Sequence, residues 1–230
     1  MPSTANAPDV GAGFYTAGEA ARLLGFNSSQ RVVRWLTTSA KGEPIVLRDY
    51  ARIGGHHEVS FLDLIELKFI SHFRGRGISL QALRIAAKNA RQELGVEHPF
   101  ATSSVKFQSD RRAVFLETAK EAGDKQLLDL MTKQIAIYDV LEGLFAKDME
   151  FDVDGLARSW RPEPAIAPQV IVAPVFGFGR PVVSERRLPT ATLFDAWIAN
   201  GNDAEEVADW FDIDPASVTE AVAFELRPLH

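Results

Sequence analysis

Apolar side chains recur along this chain in several distinct rhythms, and the points where the rhythm changes divide it into regions. Between Phe14 and Leu36 they fall at helical spacing in two short bursts, Ala20, Leu23 and Leu24, then Val32, Val33 and Leu36. Thr16 followed by Glu19 has the spacing of a capping box for the first burst, Gly25 ends it, and Asn27 or Ser28 opens the second. Gln30, Arg31 and Arg34 fall on the polar side of the second burst. The pattern predicts two short helices around a tight turn, a helix-turn-helix. From 37 to 59 the helical rhythm stops: Ile45-Val46-Leu47, Gly54-Gly55 and His56-His57-Glu58-Val59 predict two short strands and a turn, a wing. Ser60 then caps a largely buried helix through Phe73, and a further helix runs from about Ser79 to Leu94, stopped by Gly95.

After His98-Pro99 the texture changes. Val105 and Phe107, then Ala113 to Leu116, flank a Ser-Asp-Arg-Arg turn and predict a β-hairpin. Helical spacing returns from Lys125 to Phe145 through Leu127, Leu128, Met131, Ile135, Tyr138 and Leu141. Asp154-Gly155, between Met149–Phe151 and Leu156–Trp160, is the strongest short hairpin signal in the chain. A proline-rich link at 162–168 leads to Val170-Ile171-Val172 as a further strand. The last stretch reads as three helices, the first capped by Thr190 and closed by Gly201. Asn202 or Asp203 caps the second, and Asp214-Pro215 starts the third, with proline at its favoured first-turn position. The expected fold is therefore α+β and mainly α. It comprises a flexible, aperiodic terminus at 1–13, a winged helix-turn-helix unit at 14–95, a mixed helix-and-hairpin region at 96–168 and a three-helix unit at 169–230.

Charge changes the picture more than composition does. The 230 residues are 46% apolar, enough for a sizeable core. Among 230 residues there is no long apolar run and no charged-then-apolar leader, which gives the expectation of a cytoplasmic protein without a membrane partner. The absence of cysteine excludes disulfides and thiolate chemistry. The net charge of -6 is unevenly spread. Residues 1–100 carry 12 Lys/Arg against 9 Asp/Glu, and residues 101–230 carry 13 against 22. Between Asp195 and Glu225 lie nine acidic residues and no Lys or Arg, a surface that repels nucleic acid. The basic excess and the polar face of the second helix lie in the other part, where Gln and Arg suit base edges and phosphates.

No catalytic constellation stands out: there is no phosphate-binding glycine loop, no zinc-protease motif and no nucleophile elbow. Glu150, Asp152, Asp154 and Gly155 imitate the start of a calcium loop, but Arg161 occupies the position that needs a bidentate carboxylate. His56-His57 has no third ligand near it in sequence. The expectation is a non-enzyme with no metal and no cofactor.

Two resemblances carry the reading further. Tyr15-Thr16-Ala17-Gly18-Glu19-Ala20-Ala21-Arg22-Leu23-Leu24-Gly25, the Val33-Arg34-Trp35 step, Ser60-Phe61-Leu62-Asp63-Leu64 and Arg76-Gly77-Ile78-Ser79-Leu80 resemble the winged helix-turn-helix of MerR-type transcription regulators. That resemblance implies a second helix in the major groove and a wing on phosphate. It assigns DNA contacts to Ser28, Ser29, Gln30, Arg31 and Arg34 and to Arg52, His56 and His57 in the wing turn, with Thr16 and Arg22 serving from the first helix. Phe178-Gly179-Arg180-Pro181-Val182-Val183, Arg187-Leu188-Pro189-Thr190, Asn200-Gly201 and Asp203-Ala204-Glu205-Glu206-Val207-Ala208 resemble the domain of unknown function numbered 433. That domain recurs in antitoxins, VapB-like ones included, encoded beside PIN-like ribonuclease toxins. The combination implies a dimeric, autoregulating antitoxin of a type II toxin-antitoxin pair, bound to double-stranded DNA at a palindromic operator and to a PIN-like ribonuclease toxin. Arg180, Arg187, Trp197, Asp203, Glu206, Trp210 and Phe211 are the candidate partner contacts, since aromatic residues anchor interfaces and an acidic face complements an RNA-binding cleft. The alternatives are a MerR-like regulator that responds to a small molecule without a toxin, and a chain whose C-terminal helices themselves read DNA.

Overall fold

A computed structural model describes residues 12–38, 42–51, 55–103, 112–132 and 148–230. The expected wing contact at Arg52, the first arm of the hairpin at Val105 and Phe107, and the continuation of the helix to Phe145 lie outside the described residues. The architecture is α+β with helices predominating. Strand β1 (Tyr15–Thr16) leads into α1 (Ala17–Leu23) and α2 (Gln30–Leu36). The capping box forms as its spacing requires, the Thr16 hydroxyl accepting from the Glu19 amide and the Glu19 carboxylate from the Thr16 amide. Of the two expected caps of α2, Ser28 takes part, one residue further out: its Oγ accepts from the Gln30 amide at 3.3 Å, while Ser29, directly before the first turn, makes no side-chain cap.

A two-stranded wing is absent among the described residues. Strand β2 (Glu58–Val59) pairs instead with β1, Tyr15 opposite Val59, so its partner comes from ahead of α1. Ile45 and Val46 are fully buried, and both of their amides reach the Trp35 carbonyl at the end of α2. Burial, rather than pairing with β2, uses Ile45 and Val46, while Leu47 is exposed.

Helix α3 (Phe61–Gly75) is the centre of the molecule. It buries Phe61, Leu64, Ile65, Leu67, Phe69, Ile70 and Phe73, so it is apolar nearly all round, the pattern of a helix enclosed by others. The ring of Phe69 stacks on Phe73 (4.1 Å between centroids) and on Phe100 (4.3 Å), and Phe100 meets Phe115 edge-on at 5.5 Å. This aromatic row ties α3 to the turn after α4 (Leu80–Leu94) and to α5 (Arg112–Ala122).

Helix α5 overturns the expected second arm of the first hairpin. Ala113–Leu116 is a short apolar run that periodicity alone cannot assign. With Thr118 and Ala119 added, the buried set Val114, Phe115, Thr118, Ala119 has helical spacing, and docking on Phe100 decides the outcome. Helix α6 (Lys125–Thr132) follows, its start held by Asp124, whose carboxylate takes amides of Ser79 and Leu127.

Strands β3 (Met149–Phe151) and β4 (Ala157–Trp160) form the hairpin expected at Asp154-Gly155. Asp152 Oδ1 accepts the amides of Asp154 and Leu156, both at 2.9 Å, so the carboxylate that imitated a calcium ligand closes the turn. Trp160 and Val172 exchange both backbone hydrogen bonds, joining this hairpin to the antiparallel sheet β5 (Val170–Ile171), β6 (Val182–Val183) and β7 (Leu188–Pro189). Three helices complete the chain: α7 (Thr190–Ala199), α8 (Ala204–Phe211) and α9 (Pro215–Glu225). Asp203 and Asp214 cap α8 and α9 as expected. Thr190 does not cap α7: it is the first helical residue, and its hydroxyl is spent on the Glu225 carboxylate.

Candidate nucleic-acid interface and partner face

Helix α2 is divided along its length. Val32, Trp35 and Leu36 are buried, and Gln30, Arg31 and Arg34 are exposed, as is Ser28 just before it, with Ser29 half-buried. The Arg31 guanidinium lies 4.4 Å from the centre of the Phe26 ring, an attraction of about 0.5–1 kcal/mol at an exposed site that still leaves the fork open. The Arg34 side chain makes no ion pair among the described residues. His56 is exposed and His57 half-buried, on the short segment leading into β2.

Arg22 sits differently. Its guanidinium binds the Glu225 carboxylate at 2.7 Å and the Glu225 carbonyl at 3.0 Å, so it is engaged with α9. The same junction holds Arg227, buried and stacked over Phe224, which donates to the Arg22 carbonyl at 2.8 Å. The backbone of His230 exchanges hydrogen bonds with Gly25 and Asn27, inside the turn between α1 and α2. On the far side of α1, the Phe14 amide reaches the Phe178 carbonyl, and Tyr15 lies buried against Gly179. Gly179 has a φ of +90°, and a Cβ there would stand 2.8 Å from Tyr15 Cζ and overlap its hydroxyl. Two requirements therefore converge on glycine, a left-handed backbone and a tyrosine ring seated on it. Burial in this seat pushes the Tyr15 phenol well above its ordinary pKa. A cavity of about 280 Å³ remains between α1 and α9, bordered by Glu19, Arg22, Arg180, Thr190, Glu225 and Arg227.

The candidate partner residues are spread over the C-terminal unit. Trp210 on α8 is 58% exposed and Ile198 on α7 is 54% exposed, large apolar groups among exposed Asp195, Glu205, Glu206 and Asp209. Trp197 and Phe211 are half-buried and pack on the core. Asp203 is committed to the cap of α8, accepting the Glu205 and Glu206 amides. Arg187, with a φ of +58°, lies over the Phe176 ring at 4.3 Å, and Arg180 is exposed at the rim of the α1–α9 cavity.

One group of residues escaped the sequence reading. Asp49, Asp63, Glu66 and His98 meet beneath the start of α3, with His98 Nε2 3.0 Å from Asp49 Oδ1 and Arg91 3.4 Å from Glu66. Burial, with Asp49 beside it, pushes the Asp63 carboxyl up to about 7. Burial disfavours a charged His98, but the Asp49 and Glu66 carboxylates outweigh it and raise the imidazole to about 10. Carboxylates at Asp63 and Glu66, on the face of a helix otherwise apolar, are the signal in the sequence that points here. Among the described residues no helix is long and apolar enough to cross a membrane.

Residues 170–224 match the protein family of unknown function DUF433. The matched segment begins at β5 and ends within α9, so it takes in the sheet and the three helices. No curated protein matches the chain. The fold resembles the crystal structure of Rv2018 from Mycobacterium tuberculosis, with 21% sequence identity and a TM-score of 0.68 over 90% of this chain and 96% of that one. The likeness therefore embraces the arrangement of the N-terminal helices upon the C-terminal unit as well as the DUF433 segment itself.

Proposed function

We propose that this chain is a DNA-binding antitoxin. In this reading the α1–α2 pair is a MerR-like helix-turn-helix, and the acidic face of the DUF433 unit neutralises a PIN-like ribonuclease toxin. The observation that carries it is the division of α2, a short helix fixed by Val32, Trp35 and Leu36 that presents Gln30, Arg31 and Arg34 to solvent as an open row of base- and phosphate-binding side chains. Arg22 drops out of the DNA contacts because Glu225 holds it. Two copies would place two such rows on the half-sites of a palindrome. Exposed Trp210 and Ile198, on helices that also expose Asp195, Glu205, Glu206 and Asp209, supply what a basic ribonuclease cleft would meet, an aromatic anchor on an acidic unit.

The test is binding of the full chain to its own promoter DNA as a function of salt. Arg31→Ala with Arg34→Ala should weaken binding at least tenfold and lower the salt slope by about two, one for each phosphate no longer neutralised. Unchanged affinity and slope overturn the DNA reading. Trp210→Ala should release a co-expressed ribonuclease encoded beside this chain and leave DNA affinity unchanged. The cavity between α1 and α9, bordered by Arg22, Arg180, Arg227, Glu19 and Glu225, favours a second reading, a regulator that answers to a small polar molecule there without a toxin.

A further inference from the structure

The buried group under α3 is built like a ligand set. Asp63 is wholly buried; its Oδ2 accepts the amides of Ser60 at 2.9 Å and of Asp49 at 3.2 Å, and its Oδ1 has no hydrogen-bond partner. Glu66, also wholly buried, gives Oε1 to the Phe100 amide at 3.1 Å, and its Oε2 accepts from the Arg91 guanidinium at 3.4 Å while lying 3.7 Å from His98 Nδ1. His98, 7% exposed, bonds Asp49 through Nε2, and its Nδ1 is unpartnered, 3.8 Å from Asp63 Oδ1. Asp63 Oδ1 and His98 Nδ1 are thus both buried and unpartnered, with Glu66 Oε2, held by Arg91, beside them. The three donor atoms lie within 4.8 Å of one another.

We propose that Asp63, Glu66 and His98 bind a divalent first-row transition ion of the zinc class, with Asp49 as the carboxylate that orients the imidazole. Separations of 3.7 and 3.8 Å are too long for hydrogen bonds, so a proton on Nδ1 satisfies neither carboxylate. An ion bonded at about 2.0–2.2 Å to each donor needs donors roughly 3.3–3.6 Å apart in tetrahedral geometry, so each carboxylate oxygen has to close on the imidazole nitrogen by a few tenths of an ångström. A carboxylate on the far nitrogen of a metal-binding histidine is the usual second partner, and it fixes the tautomer that leaves Nδ1 free. One imidazole and two carboxylates suit zinc, manganese, iron or cobalt. A cavity of about 430 Å³ bordered by Asp49, Glu97 and His98 brings solvent up to the imidazole. Bound there, the ion would join the 45–50 loop, the start of α3 and the 98–100 turn.

The test uses full-length protein stripped with a chelator and titrated with Co²⁺ and then Zn²⁺, with Mg²⁺ as the control. One Co²⁺ per chain with visible d–d absorption, displacement by Zn²⁺ and a rise in Tm with Zn²⁺ but not Mg²⁺ are expected. Asp63→Asn, which keeps an oxygen for the helix cap, and His98→Gln should abolish the absorption, and Glu97→Gln and His56→Ala should leave it intact. Absorption that survives His98→Gln, or that Glu97→Gln removes while Asp63→Asn does not, overturns the site, as does a wild-type chain that takes up no Co²⁺. X-ray absorption on the wild-type Co²⁺ form keeps the question open to refutation should the variants unfold. One imidazole among nitrogen and oxygen donors is expected, and two or none refutes the assignment.

Discussion

Local signals account for different shares of the order in the region around α3 and in the DUF433 unit. Around α3, stability comes from contacts between residues far apart in the chain: Phe69 and Phe73 on one helix, Phe100 after the next and Phe115 on a third. In the C-terminal unit much of the order is local, set by Asp203 over α8, Asp214-Pro215 over α9 and Gly201 after α7, each acting within a few residues. A core of the first kind is strong but gives few signs of itself in the sequence. The second kind declares its boundaries and stabilises in small increments.

The contrast can be broken at its strongest point first. Phe69→Ala removes a ring stacked on two others and should cost about 4 kcal/mol, within the range for emptying a packed aromatic site, measured as a loss of urea midpoint for the whole chain. An equal loss from a C-terminal cap would erase the distinction. Gly179→Ala comes next, at about 2–3 kcal/mol, because it adds a methyl where the Tyr15 ring sits and forces an alanine to a φ of +90°. Its signature is regional: the Asn27 amide, held by the His230 carbonyl, should exchange faster as the head loosens from the C-terminal unit. Asp203→Ala should be the mildest, about 1 kcal/mol, with fraying confined to α8 and no change at Asn27.

The same contrast explains what could be read from the chain. The α1 capping box, the Asp154-Gly155 hairpin and the α8 and α9 starts were legible because the residues that make them are three or four apart. The 112–116 segment was not, because a short apolar run is ambiguous until Phe100 arrives to pack on Phe115. Nor was the partner of Val59, which turned out to be Tyr15, beyond both α1 and α2. Gln30, Arg31 and Arg34 on the open side of α2 followed from periodicity, whereas the engagement of Arg22 by Glu225 needed the chain to close on itself. The group at His98 was hidden for the same reason, its members being drawn from a loop, a helix and a turn. The carboxylates of Asp63 and Glu66 inside an apolar helix were its one visible trace.

The four tryptophans divide along the same line and give the molecule its own optical reporters. Trp35 and Trp160 are each 3% exposed and should emit at short wavelength, shielded from acrylamide, whereas Trp210, 58% exposed among carboxylates, should supply most of the red, quenchable emission. Normalised to free tryptophan, iodide, repelled by those carboxylates, should quench Trp210 less than neutral acrylamide does, and caesium, attracted to them, more. A protein that covers the acidic face would therefore announce itself as a blue shift and a loss of quenching, with no label attached.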